Sequence, residues 1–344
     1  MSQSVLVVGG GPAGLSAAHA LASVGVQAIL VEKDEVLGGA PVRDKYAKLV
    51  PSGQWAKDAI GGMVERVQDN EKIRVLTGTT ITEFDGTPGA FTAKTSSGEE
   101  LKVGATVLAT GFTHFDPINK PEWGYGTFPD VVTTTEVEAM ISSSHKVTRP
   151  SDGAIPKRVC ILLCVGSRDR QIGREYCSRI CCTVSTNLAM EIKELHPETE
   201  VYIYYMDIRT FGLYEDKFYW KSQEDYHVKF VKARIAEITK RAGQMVVKGE
   251  DTLVKRPIEI PFDLVIQAIG MDPNELNPQV AKTFGVGLES HGYLDKSDSY
   301  SDSCGTTRPG VFVAGSATGP LDIDSSINEG QAAALRALQL INNA

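Results

Sequence analysis

The stretch SVLVVGGGPAGLSAAHALASVGVQAILVE, residues 4–32, constrains the fold more than any other part of the chain. Val5 to Val8 is a short apolar run that ends in glycines. Pro12 to Ser23 reads as a small-residue helix, and Ala28 to Glu32 as a second strand. This is a βαβ opening. Gly9, Gly11 and Gly14 stand between strand and helix as Gly-x-Gly-x-x-Gly, with Pro12 and Ala13 between the last two. The glycines allow a tight turn, a close backbone approach to a pyrophosphate, and close helix–strand packing. The helix start offers N–H groups and positive partial charge to phosphates. Glu32 falls where an acid binds a ribose hydroxyl, and its charge disfavours a 2′-phosphate. Glycine-rich loops produce such triplets by chance, but the strand, the helix and the acid together favour a nucleotide site.

Further segments favour FAD over NAD. Gly38-Gly39 follows Glu32-Lys33 closely as a second glycine turn near the pyrophosphate, so Lys33, Gly38 and Gly39 join the candidate site. Thr80 and Ile81 are counted with it, as are Ala109, Thr110 and Gly111 of the LATG segment. The strand GVFVAGSATGP resembles the flavin-contacting strand of flavoproteins with two dinucleotide domains. Most of those carry an aspartate after the glycine; here Ser316 follows Gly315. Ser325, Ser326 and Ile327 are expected just before the last helix, whose amides would face the flavin edge and stabilise negative charge. Simple packing of that helix against the first strand is the plainer account, and both can hold.

The chain has 344 residues, enough for two domains. Its hydrophobic content, 42%, is ordinary for a globular protein, and a net charge of −8 argues against nucleic acid. No apolar run reaches the ~20 residues of a membrane span. The start, MSQSVLVVGGG, runs into a strand with no signal peptide before it, so a cytoplasmic, reducing location is expected. Lys146 to Pro156 reads as a linker, and RVCILLCVGS as the strand opening a second unit. The expected organisation is an FAD domain of residues 1–150 plus 285–344, split by a degenerate nucleotide-type domain of residues 151–284. The expected fold class is α/β, the two-dinucleotide-binding-domain flavoprotein of the thioredoxin and glutathione reductase type. After its first strand the inserted domain shows one glycine, Gly166, and no triplet, which argues against a nicotinamide site there.

Four cysteines crowd into nineteen residues, Cys164-x12-Cys177-x3-Cys181-Cys182. In a reducing compartment such a group is more often a metal site than a set of disulfides. Four thiolates can hold a [4Fe–4S] cube. The spacing is not the ferredoxin run of Cys-x2-Cys steps. Cys177 and Cys181 share a face if the segment is helical, and Cys182 is turned by ~100° from Cys181. An adjacent pair suits a cluster with separate iron corners better than one tetrahedral zinc. Zinc, or burial without any ligand, stays open at this point. Cys160 alternates with Leu162 on an apolar strand and reads as core, while Cys304 stands apart. The six histidines form no metal pattern.

CVGSRD, YCSRICC and YYMDIRTFGLYEDKFY resemble the A subunit of heterodisulfide reductase, HdrA. The resemblance runs from the glycine fingerprint to GSATGPLDIDSSI. It implies a [4Fe–4S] cluster on Cys164, Cys177, Cys181 and Cys182 close to FAD, and pairing of HdrA-type subunits as a homodimer. The chain also departs from the long methanogen type. It lacks the cysteine-rich ferredoxin-like modules, and Asn187 and Leu321 stand where the long forms carry lysines, Asn187 next to the flavin. Losing two cations there would shift the one-electron potentials and argues against electron bifurcation. The short form resembles the HdrA-like subunit of the bacterial sulfur-oxidising Hdr-like complex.

That resemblance implies a cytoplasmic electron-transfer subunit with HdrB-like and HdrC-like iron–sulfur partners. Alternatives are the A subunit of a quinone-linked complex of sulfate reducers, a stand-alone NAD(P)H-dependent flavin reductase, and a cofactor-bound assembly subunit without catalysis. Residues 202–226 hold nine of the chain's 25 aromatics. They read as core and interface packing, or as a shell around the cofactors, with an Asp207–Arg209 ion pair among them.

Overall fold

The computed structural model describes residues 3–343, which form two compact units. The first takes in residues up to Arg43, Ala56–Thr113, and the chain from Asp272 onward. Its centre is a five-stranded sheet in the order Val311–Val313, Ala105–Leu108, Val5–Val8, Ala28–Val31, Ile73–Leu76. Every pairing in it is parallel. Parallel strands are covered on both faces, so they read as unbroken apolar runs rather than alternating ones. Val5, Leu6 and Val7 are accordingly all fully buried. The helices Pro12–Ser23 and Ile323–Asn343 pack together so closely that any side chain at Gly330 would run into the Ala13 carbonyl. A three-stranded antiparallel sheet, Ile81–Thr87, Ala90–Thr95 and Glu100–Val103, completes the unit. Its middle strand alternates buried Phe91, Ala93 and Thr95 with more exposed residues, as a one-sided sheet requires.

The second unit takes in Asp44–Trp55 and His114–Met271. Seven strands run in the order Arg256–Phe262, Gln244–Asp251, Lys229–Arg241, Glu200–Tyr205, Arg158–Val165, Leu264–Ile269, Val131–Thr133. Arg158–Val165 lies inside the sheet between two parallel neighbours, and everything from Val159 to Val165 is buried. The helix Thr134–Ser144 starts at a capping box: Thr133 Oγ1 accepts the Glu136 N–H, and the Glu136 carboxylate accepts the Thr133 N–H.

The units divide the chain at points other than the boundaries expected from sequence. Residues 114–150 join the second unit because Val131–Thr133 pairs in parallel with Leu264–Ile269. Residues 44–55 join it too, with Ala47 buried among its core side chains. Residues 272–284 belong to the first unit, where Phe284 packs on Phe84 with ring centres 4.8 Å apart. The last helix starts at Ile323, one turn before its expected start, because the Asp322 carboxylate accepts the Ser325 N–H at 2.7 Å. Ser325, Ser326 and Ile327 therefore lie inside the helix rather than before it. Among the described residues no helix is long and apolar enough to cross a membrane.

Candidate cofactor sites

In the first unit the turn at Gly9 has φ +108°, and a side chain there would strike the Ala109 carbonyl. A side chain at Gly14 would strike the Gly9 carbonyl. Gly11 differs: a carbon added to it faces space, with the nearest atom, Gly39 Cα, 3.8 Å away. Pro12 occupies the first helical position, no side chain caps that helix start, and its first turn holds no acid. Gly11 and Gly39 thus lie against each other beside an uncapped helix N-terminus, an arrangement that suits a pyrophosphate. Glu32 is buried; its carboxylate accepts the Gly10 N–H at 2.6 Å and the Asp34 N–H at 2.9 Å. Gly38 donates its N–H to the Gly10 carbonyl at 2.8 Å and ties the second glycine turn to the first. Lys33 points to the surface and pairs with Asp34.

The other expected contributors lie in the same unit. Thr80 bonds to Ser96 through both backbone groups, and Ile81 is a buried core residue opening its strand. Ala109 continues the first sheet by donating to the Val8 carbonyl. The Thr110 carbonyl accepts the Asn274 side chain at 2.7 Å, and Gly111 takes φ +71°. Gly315, at φ +70°, abuts Ala13 closely enough that an added carbon would stand 2.7 Å from the Ala13 Cβ. Ser316 Oγ donates to the Leu321 carbonyl at 3.5 Å; Ser326 Oγ bonds to the Asp322 carbonyl, and Ile327 accepts from Ser16. Two contributors escape a reading of the sequence. Asn274 holds the LATG segment, and the Glu329 carboxylate accepts the Gly315 N–H at 2.9 Å. Neither belongs to a local motif. Asp322, three residues before Ser325, could have been read as a helix cap.

The four clustered cysteines lie in the second unit. Where the first unit needs three residues to turn from strand to helix, the second fills the same passage with residues 166–180. Cys164, the penultimate residue of its strand, lies in the left-handed region, φ +63°, at an irregularity in the pairing with Leu264–Ile269. Arg168 and Arg179 also take positive φ, at +56° and +62°. Such conformations are costly for residues with side chains and cluster at functional sites. Gly166, at φ +76°, lies against the Phe115 ring with no room for a side chain. The loop is pinned by the Ser178 hydroxyl, which accepts the Met271 N–H at 3.0 Å, and by the Lys120–Asp169 ion pair at 2.8 Å.

Cys181 and Cys182 open the helix Cys181–Leu195, so Cys177 precedes the helix rather than sharing a helical face with Cys181. Cys164, Cys181 and Cys182 are buried with their sulfurs in contact, Cys181 sharing its thiol hydrogen with the other two. That donation, followed by the Arg168 guanidinium against the cost of burial, holds the Cys164 thiol down to about 7. Cys181 is pushed up by the same bonds and by burial. Cys177 is half-buried, and its sulfur accepts the Arg179 N–H at 3.3 Å. Arg168 grips Asp207 with both guanidinium nitrogens, and Arg209 pairs with the same carboxylate at 3.3 Å. The Asp207–Arg209 pair matches expectation. Arg168 does not figure in it, although a cation four residues after a cysteine in GSRD is a recognisable sign of a tuned thiol. Asn187 lies one and a half turns into the helix and donates to Glu191 at 2.5 Å. Cys160 is fully buried in the sheet core, and Cys304 is buried in the other unit.

Among the described residues no three histidine, cysteine or acidic side chains are poised around a single ion. Three of the four thiols, Cys164, Cys181 and Cys182, hydrogen-bond to one another, while the Cys177 sulfur accepts the Arg179 N–H. The donor set, four thiols with a nearby cation and no imidazole, is one that thiolate-held clusters use and that zinc also accepts.

The sequence profile of the pyridine nucleotide-disulphide oxidoreductases matches residues 3–337. The chain belongs to this family. As a pyridine nucleotide-disulphide oxidoreductase family member it is an oxidoreductase, and the membership supports FAD as its cofactor. The A subunit of the H(2):CoB-CoM heterodisulfide,ferredoxin reductase of Methanothermobacter thermautotrophicus is 42% identical over 243 residues, covering 69% of this chain and 37% of that protein. The second of the iron-sulfur A subunits of the CoB–CoM heterodisulfide reductase of Methanopyrus kandleri is 30% identical over 422 aligned residues, covering 98% of this chain and 64% of that protein. The chain spans less than two thirds of the length of these curated relatives. In fold this family member is similar to thioredoxin reductases: that of T. acidophilum superposes with a TM-score of 0.65 at 19% identity, covering 98% of this chain and 99% of the other. That of Lactococcus lactis gives 0.66 at 16%, with both chains fully covered.

Proposed function

We propose that the chain is the FAD- and [4Fe–4S]-containing electron-transfer subunit of a heterodisulfide reductase-like complex, acting in cytoplasmic sulfur oxidation. Its partners would be a second copy of itself and HdrB-like and HdrC-like iron–sulfur subunits. One observation carries the reading: a left-handed backbone at Cys164 brings that thiol onto the Cys181–Cys182 pair, beside Arg168. The long loop occupies the place where a nicotinamide-binding domain would make a tight glycine turn, which favours a relay over a stand-alone NAD(P)H-dependent reductase. When bound, flavin and cluster together supply two-electron and one-electron redox chemistry.

The chain's own residues do the holding. Gly9, Gly11, Gly14 and Gly39 shape the pyrophosphate crevice, and Glu32 stands at the ribose position. Cys164, Cys177, Cys181 and Cys182 supply the thiolates, while Arg168 offsets part of their negative charge. Asn187 and Leu321, both uncharged, are the reason the flavin is taken to be non-bifurcating.

Iron and sulfide analysis of anaerobically purified protein tests the cysteine assignment. About four of each per chain are expected. Cys160→Ser and Cys304→Ser should keep them, and Cys177→Ser should lose them or yield a damaged cluster. Equal loss in all three variants would sink the assignment.

A further inference from the structure

We propose that residues 211–220 form the docking surface for a one-electron iron–sulfur carrier whose own surface is acidic around its cluster. The proposal rests on reading the cysteine set as a [4Fe–4S] site. Leu213 is 88% exposed, Phe211 51% and Trp220 46%, three large apolar side chains facing water within one short segment. Phe218, in the same segment, is buried and anchors it. Residues Glu215–Trp220 make a π-helical turn, a rare form that recurs at functional sites. Exposed apolar groups gathered in this way mark contact surfaces.

The segment adjoins the thiols. The Asp207 carbonyl lies 4.0 Å from the Cys182 sulfur, and Arg209 and Phe211 follow directly in the chain. The Arg179 guanidinium stands over the Phe211 ring, 6.0 Å from its centre, and Arg168 shares the Asp207 carboxylate with Arg209. One guanidinium thus stands on Phe211 itself and two more pair with Asp207 four residues before it, three cations against one carboxylate at this end of the segment on a chain of net charge −8. At the Trp220 end Glu215 and Asp216 offset Lys217 and Lys221. A positive spot over the thiols selects an acidic partner and speeds its encounter. A side chain of this size buries roughly 150–250 Å². Three fall short of the ~800 Å² per partner of a stable complex and suit the small contacts of transient electron transfer. In the step itself one electron leaves the reduced carrier and enters the cysteine-held cluster. No bond forms or breaks, and no proton moves.

Stopped-flow mixing of the oxidised, cofactor-loaded protein with a reduced, acidic plant-type [2Fe–2S] ferredoxin tests this. The unaltered chain should react quickly at low salt and more slowly as salt rises. Leu213→Glu sets a like charge against the carrier at a solvent-facing position, and should slow the reaction about tenfold or more. Leu253→Glu, at an exposed hairpin tip outside the segment, should react like the unaltered chain. Iron analysis and dithionite reduction of the same preparations read the cofactor assignment separately, so iron-free protein would refute the underlying reading. With iron present, an unchanged rate in Leu213→Glu, or a rate indifferent to salt, overturns the docking surface. So does a Leu213→Glu protein that falls from dimer to monomer while keeping its ferredoxin rate, since a second copy would then cover the segment.

Discussion

Gly11 is the residue on which the proposed nucleotide site turns. Gly9 and Gly14 are packed against backbone, so side chains there would damage the fold itself. A carbon at Gly11 meets nothing nearer than Gly39 Cα at 3.8 Å, an ordinary contact, so the fold itself tolerates a side chain there. Gly11→Val should therefore leave circular dichroism and thermal unfolding of the apoprotein close to normal while removing flavin absorbance from the purified protein. A variant that keeps full flavin absorbance would place the pyrophosphate elsewhere. Cys164 is the matching residue of the second unit. Its left-handed backbone turns a strand-end thiol onto a helix-start pair, a contact no regular strand ending would make.

Between elements, two acids meet where the helices Thr134–Ser144 and Cys181–Leu195 pack. The Glu138 carboxyl is withdrawn from water and repelled by Glu191, with one weak bond from the Ala47 N–H at 3.4 Å. Burial pushes it up to about 8. Glu191, a buried residue, is pushed up to about 7 against the pull of Lys48 and the Asn187 bond, with Glu194 adding repulsion; its Oε2 has no hydrogen-bond partner among the described residues. Both folded values lie above the usual glutamate range. Between roughly pH 4.5 and 8 the folded chain thus holds protons that the unfolded chain has released, and stability falls as pH rises. Glu138→Gln removes the group that must stay protonated. Its melting temperature should drop less than that of the unaltered chain between pH 5.5 and 8, leaving the variant the more stable at pH 8. A variant that is less stable at pH 8 would show that the carboxyl is ionised and well solvated.

At the scale of the whole molecule, the prediction concerns how electrons divide. Asn187 spends its amide on Glu191, and Leu321 offers no charge, so neither position supplies a cation. Cations favour anionic reduced rings, and removing them changes the balance of the two one-electron steps. An anaerobic titration followed by EPR and visible spectra should resolve those steps at separate potentials. Passage from oxidised to fully reduced in a single two-electron step would refute this expectation. Much of this molecule was readable from its letters. The opening βαβ unit, the glycine turns and the strand Arg158–Val165 follow from local spacing and from apolar runs that only a covered strand can carry. Cys160 was legible as core for the same reason. Tertiary structure decided the rest, because it depends on residues far apart in the chain. Pairing of Val131–Thr133 with Leu264–Ile269 set the boundary between the units. The Asp207 carboxylate oriented Arg168 beside Cys164. Glu329, fourteen residues beyond Gly315, holds the turn that carries Ser316. Within one aromatic stretch, packing buried Tyr204 and Phe218 but left Phe211 and Trp220 facing water. Composition alone cannot sort aromatics that way: which rings are covered depends on the sheet and helices that close over them.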